Sequence, residues 1–255
     1  VTDALDALSC DPAVMDAQLA ERPARRTNPY GIGAGEVAKA MLCLGLRDME
    51  SAPDWLRKEC APMKRHGNVP RFILVKAGRV AKRKMGDAQH IGVRREEELF
   101  ERWLREVRAG YPMPLDIDPD TAVWAGWLPD EFPPWLDNMQ RALTVRTDGW
   151  ARTWDGRLVT LSIKCARYGY SKPAWWNGID RLPWYYQTQC QAEMAALRGK
   201  HALAIIGCGW NRDADDPRSD GPVRVLREDR DECAIEEVRG AAGAAWAAIQ
   251  KLRAA

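Results

Sequence analysis

Hydrophobic and polar positions alternate most regularly between Thr144 and Cys165, TVRTDGWARTWDGRLVTLSIKC. The alternation breaks at Asp155-Gly156, so the stretch predicts two short strands joined by a Trp-Asp-Gly turn. From Leu158 to Cys165 the two-residue period of a strand sorts the side chains onto two faces. Val159, Leu161, Ile163 and Cys165 make an apolar face for a core. Leu158, Thr160, Ser162 and Lys164 make an exposed face that ends in a lysine, and Asp148 belongs to the same hairpin. An acid and a lysine so placed are either a metal and phosphate site or a coincidence of strand sequence.

A second periodic stretch, Gly92 to Val107, follows the helical period: Leu99, Phe100, Trp103, Leu104 and Val107 share one face. With Glu96 set at zero, the centre of that face falls at about 12°, Glu97 at about 100° and Glu98 at about 200°. Of this acidic triplet Glu96 is therefore the one aimed inward. A buried carboxylate needs a partner, either an arginine or a metal ion.

Around these two elements the pattern is plainer. Residues 1–28, Ala- and Asp-rich and then Arg-rich, begin with a short helix. Gly31 to Glu36 makes a tight entry into a helix Val37 to Leu44, with no strand ahead of it as a dinucleotide fingerprint would require. Ala52 to Cys60 predicts a helix opened by Pro53. Pro183 starts another that runs to Gly199. Its apolar stripe is Tyr186, Cys190, Met194 and Leu197, flanked by Gln187 and Gln191 on one side and Gln189 and Glu193 on the other. Short strands follow at Ala202–Cys208 and Val223–Leu226, with Asp213 to Gly221 a polar turn between them. An Ala-rich helix Asp231–Leu252 buries Ile235, Val238, Trp246 and Ile249. The Pro- and Trp-rich stretch at about 111–140 has neither period and predicts a long loop. Its Trp124, Trp127 and Trp135 either plug the loop onto the core or stack on unpaired bases. Tyr168 to Gly178 predicts a second such loop. The order of elements predicts one α/β (α+β) domain over residues 1–255, with a central mixed β-sheet flanked by helices.

Charge adds one feature. The net value is only +2, yet Lys64 to Arg95 holds ten Lys or Arg against the single acid Asp87. This basic arm, about 61–90, reads either as a phosphate-backbone contact through Arg79, Lys82, Arg83 and Lys84 or as a solvated segment. The seven cysteines include no Cys-x-x-Cys pair, which disfavours zinc ribbons, iron–sulfur clusters and a secreted disulfide framework and fits a reducing cytoplasm. No apolar run approaches 18 residues, so no membrane partner is expected. The three histidines, His66, His90 and His201, stand in no nucleophile–histidine setting.

Taken in order, the motifs resemble those of the YqaJ-like, lambda-type phage exonucleases, a branch of the PD-(D/E)XK nucleases with a restriction-endonuclease-like core. Gly31-Ile32-Gly33-Ala34-Gly35-Glu36-Val37 is similar to that family's opening helix, and Gly92-x-x-x-Glu96 followed by Trp103 to its Gly-x-x-x-Glu helix. Thr147-Asp148-Gly149 is similar to its Pro-Asp-Gly strand end, Ile163-Lys164-Cys165 to the end of its Glu-x-Lys strand, and the helix from Pro183 with Gln189-Cys190-Gln191 to its Gln-x-Gln helix. The resemblance implies a Mg²⁺- or Mn²⁺-dependent exonuclease acting on double-stranded DNA ends. Its partner would be a phage single-strand annealing protein, and relatives form trimers. It implies Glu96 and Asp148 as metal ligands, with Glu97 the alternative to Glu96. Lys164 would act on the attacking water, and Gln189 or Gln191, or else Gln187, would orient the site. One position departs: the family's metal-binding glutamate, two residues before the lysine, is Ser162 here. Glu193 on the neighbouring helix is a candidate to replace it. The alternative is a relative that binds DNA ends without cutting them.

Overall fold

The computed structural model describes residues 31–83, 87–109, 116–124, 142–145, 147–167, 181–197, 199, 201–210 and 223–255. Residues 1–30, Lys84, Trp127, Trp135 and the stretches 168–180 and 211–222 lie outside that set, as do the side chains of Glu97 and Trp124.

A five-stranded mixed sheet forms the centre, in the order β4 (Ile117–Trp124), β6 (Gly149–Thr153), β7 (Leu158–Arg167), β8 (His201–Trp210), β9 (Val223–Asp229). Only β7 and β8 run parallel, and helix α5 (Trp184–Leu197) makes the crossover between them. The hairpin β6–β7 turns at Trp154–Arg157, where Gly156 takes φ of +82°, a left-handed conformation suited to glycine. Helix α4 (Asp87–Arg108) lays Leu99, Phe100 and Trp103 against Val159, Leu161 and Ile163 of β7 and Leu203 and Ile205 of β8. That is the face expected from its periodicity. On the other side of the sheet α5 packs Cys190 and Met194 against Ala202, Ala204 and Ile206.

Helix α5 has a second layer over its back. The segment β1 (Ile32–Gly33), helix α1 (Val37–Cys43), helix α3 (Arg71–Lys76) and the terminal helix α6 (Glu232–Ala254) bury Met41, Phe72, Ile73, Ile235 and Val238 together with Ala192 and Ala195 of α5. Gln191 ties the layers. Its amide donates to Glu228 Oε1 (3.1 Å) and the Asp229 carbonyl (2.7 Å) and accepts from the Asp231 amide (3.1 Å). The Arg230 guanidinium caps the Met194 carbonyl at 2.6 Å near the end of α5, where cations suit the helix dipole. Asp231 in turn caps α6, accepting from Cys233 and Ala234.

Several expectations are corrected. The stretch at about 111–140 contains β4, an edge strand whose pattern is hidden by two aspartates, by Pro119 and by a register shift between Asp118 and Val123. The hairpin's first strand begins at Gly149, while Leu143–Thr144 (β5) pairs in parallel with β1, a two-residue strand inside the glycine segment itself. The Leu158–Lys164 face of β7 is not open to solvent: Thr160 is fully buried and Ser162 is 1% exposed beneath α5. The described part of the basic arm is folded. Strands β2 (Pro62–Met63) and β3 (Val69–Pro70) form a small hairpin, α3 sends Phe72 to Leu74 into the core, and 87–95 begin α4. Helix α2 (Asp54–Cys60) starts after Pro53, which occupies the cap. Trp246 is only partly buried, with the Arg253 guanidinium 5.0 Å from its ring.

Trp103 is the largest wholly buried side chain of the sheet–α4 layer. Replacing it with alanine is expected to cost about 3–5 kcal/mol. Urea titration would register this as a lower midpoint at unchanged slope.

Candidate active site

Asp148 stands one residue ahead of β6. Gly149 faces Leu161 in the β6–β7 ladder, so the ladder would next need an acceptor for Ile163. The Asp148 carboxylate provides it, taking the Ile163 amide hydrogen at 2.7 Å. This fixes the acid against β7 with its Oδ2 3.7 Å from Lys164 Nζ. Lys164 emerges from β7 on the α5 side, two residues beyond Ser162, as the strand period requires. Its ammonium also donates to the Ile163 carbonyl (3.2 Å) and lies 5.6 Å from the centre of the Tyr186 ring.

Helix α5 supplies the rest. Gln189 Nε2 donates to Glu193 Oε1 at 2.8 Å and lies 3.4 Å from Ser162 Oγ, so one amide links the helix acid to the strand serine. Glu193 is 0% exposed, and its Oε2 is buried with no hydrogen-bond partner among the described residues.

The electrostatics follow from this arrangement. Burial pushes the Glu193 carboxyl up to about 8, with Lys164 acting the other way, Asp148 adding to the rise and the Gln189 hydrogen bond opposing it. For Lys164 burial favours the neutral amine, but the Asp148 and Glu193 carboxylates outweigh it and hold the ammonium above its usual range. Burial likewise raises the Cys190 thiol, which stays uncharged. The site is thus an ammonium between the Asp148 carboxylate and the Glu193 carboxyl group, the latter short of a partner and holding its proton to about pH 8.

The residues singled out in the sequence separate into groups. Asp148, Lys164, Ser162 and Gln189 come together, and Glu193 joins them. Gln191 is instead engaged by Glu228, Asp229 and Asp231, and Gln187 is half-buried on α5. Glu96 is half-buried on α4, one helical turn ahead of Leu99 and Phe100 on the helix covering the opposite face of the sheet. Of the basic residues, Arg79 donates to the Leu252 carbonyl at the end of α6 (2.6 Å), Arg83 lies 3.7 Å from Glu59, and Lys82 is exposed. Among the described residues no set of three or more His, Cys, Asp and Glu side chains is placed to hold a metal ion. The donors at the site are hard oxygens, two carboxylates and a hydroxyl, the set suited to Mg²⁺ or Mn²⁺, and the partnerless Glu193 oxygen is a buried acceptor a cation would satisfy.

Glu193 is the residue that periodicity understates. On a helix with one buried stripe it would sit at the edge. The outer layer of α1 and α6 encloses α5 from the back, and the whole Gln191–Ala195 stretch is buried.

The fold is shared with a solved alkaline exonuclease, LHK-Exo from Laribacter hongkongensis. The match has a TM-score of 0.51 and 15% identity over 93% of this chain and 91% of that one. The structure of LHK-Exo in complex with dAMP gives the same figures. No family model and no curated protein matches the sequence. Among the described residues no helix is long and apolar enough to cross a membrane.

A pH signature follows from Glu193. The cation-free folded protein keeps this proton to about pH 8, whereas the unfolded chain releases it near 4.5. Between those values the folded state binds more protons, so stability falls as pH rises through the window. In chelator, wild-type stability is expected to decline from pH 5 to 8. Glu193→Gln should lose that slope, measured by urea titration at each pH.

Proposed function

We propose that this chain is a metal-dependent DNA exonuclease that hydrolyses phosphodiester bonds at the ends of linear duplex DNA and leaves single-stranded ends. The observation that carries the reading is the buried Asp148–Lys164–Glu193 cluster, set on a fold shared with an alkaline exonuclease. Asp148 and Glu193, with the Ser162 hydroxyl, would hold Mg²⁺ or Mn²⁺. When bound, such a cation lowers the pKa of water and offsets the charge of the phosphate.

The chain's own groups then have defined tasks. Asp148, anchored by the Ile163 amide, holds Lys164 in place. The Lys164 ammonium donates hydrogen bonds to the oxygens on which negative charge grows as water attacks phosphorus and the phosphorus–oxygen ester bond breaks. Gln189 fixes the Glu193 carboxylate and the Ser162 hydroxyl relative to each other. Lys82, Arg83 and Lys84 contact the DNA backbone. A phage recombination setting, with a single-strand annealing protein taking the product strand, suits this activity.

The second reading, a relative that binds ends without cutting, rests on Ser162 in place of the family glutamate. Against it stands Glu193, whose carboxylate reaches the same serine through Gln189. On the exonuclease reading, the lost strand carboxylate is replaced from the helix.

Digestion of linear duplex DNA with Mg²⁺ or Mn²⁺ tests this. Asp148→Ala and Lys164→Ala are each expected to lower the rate roughly a hundredfold or more. Ser162→Glu alone should also lower it, because a third carboxylate would be forced beside buried Glu193. The exchange Ser162→Glu with Glu193→Gln should recover part of the loss. An inert wild type that gains activity with Ser162→Glu would instead establish the end-binding reading. Replacing Lys82 and Arg83 with alanine is expected to weaken DNA binding and to flatten its dependence on salt. Arg79→Ala should act mainly by lowering stability, since its guanidinium caps α6.

A further inference from the structure

A path of aromatic rings runs from the protein surface to the site. Trp55 on α2 is 50% exposed, a large aromatic side chain left open to water. Its ring meets that of Tyr185 edge to face, with centroids 6.0 Å apart at 89°. Tyr185 meets Tyr186 at 4.6 Å, and the Tyr186 ring lies 5.6 Å from Lys164 Nζ. Trp184 braces the path from the side, 6.0 Å from Tyr185, with its indole N–H donating to the Ser51 carbonyl at 3.2 Å.

Packing does not account for Trp55. The core of this corner is Ala38, Leu42, Ala52, Leu56 and Cys60, with Trp184 and Tyr185 against it, and it closes without the Trp55 ring. Trp55 meets Tyr185 edge to face, and half of the indole stays open to water. Lys58, exposed and one helical turn beyond Trp55, adds a cation beside the open ring. An exposed aromatic ring next to a cation, linked through Tyr185 and Tyr186 to the candidate site, matches the chemistry that holds unpaired nucleic acid.

We propose that the exposed Trp55 ring is the stacking track for a base of an unpaired DNA strand leading to the scissile bond, with Lys58 on its backbone and with Tyr185 and Tyr186 bracing it against the site. The track is indifferent to sequence, because every base presents a π-face. It rests on the nuclease reading and adds to it the single-stranded part of the substrate and the residues that hold it.

The test is fluorescence anisotropy in EDTA, where no cleavage occurs, with a labelled single-stranded oligonucleotide and with a duplex bearing a single-stranded tail. Trp55→Ala is expected to weaken single-strand binding about five- to 150-fold, the equivalent of ~1–3 kcal/mol per stacked base. Trp55→Phe should keep most of the affinity. A tail of abasic sugars should erase the difference between wild type and Trp55→Ala, and an unchanged urea midpoint would show that the variant is folded. Equal affinities of wild type and Trp55→Ala, or a loss that persists on abasic DNA, would overturn the track. If wild type binds and degrades DNA with Mg²⁺ while Trp55→Ala matches it throughout, the track alone fails. If wild type binds no DNA at low salt, the nuclease reading falls with it.

Discussion

Lys164 is an ammonium group held between two acidic side chains, Asp148 and Glu193, beneath a helix whose Cys190–Ala195 stretch is buried, and the rest of the molecule is arranged to make that placement tolerable. Burying one charge unpaired is prohibitive, and burying a pair is close to neutral only when the geometry is good and the spare hydrogen-bonding capacity is met. Here the Ile163 amide anchors Asp148, Gln189 anchors Glu193, and the Ile163 carbonyl accepts a hydrogen bond from Lys164. The unmet demand is one oxygen of Glu193. Within the cluster the imbalance thus sits at a single atom, where a cation or a proton can relieve it.

That balance depends on helix α5 staying where it is, and three kinds of contact keep it there. The sheet takes Cys190 and Met194, the outer layer takes Ala192 and Ala195, and Gln191 and Arg230 join the helix to the β9–α6 junction. A polar residue such as Gln191, with donor and acceptor both engaged, locks the register of the helix in a way an apolar side chain would not. The two glutamines of the Gln-x-Gln stretch therefore divide the work. Gln189 serves the site, and Gln191 serves the scaffold that carries it.

Much of this was legible from residue order. The strand period put Ser162 and Lys164 on one face of β7, and the helical period chose Leu99, Phe100 and Trp103 as the face of α4 that meets the sheet. Turn chemistry found the β6–β7 hairpin. What the local pattern missed has physical causes. Strand β4 escaped because an edge strand can carry Pro119 and two aspartates that a central strand could not. Glu193 passed for a flanking polar residue because a helix enclosed on all sides has no stripe to read. The basic block looked like a solvated arm because its apolar residues, Phe72 to Leu74, occupy a helix too short to show a period. Glycine spacing alone also hid that Ile32 and Gly33 pair with Leu143 and Thr144, contacts more than a hundred residues apart in the chain.

The double enclosure of α5 has a consequence for how the molecule moves. Amide hydrogens on a helix with sheet in front and helices behind reach water only when the whole domain opens, so the stretch from Cys190 to Ala195 belongs to the most slowly exchanging part of the protein. Glu193 is thereby carried on the rigid interior. Whatever adjustment a long polymer requires as it advances is left to the surface, around the half-exposed indole of Trp55.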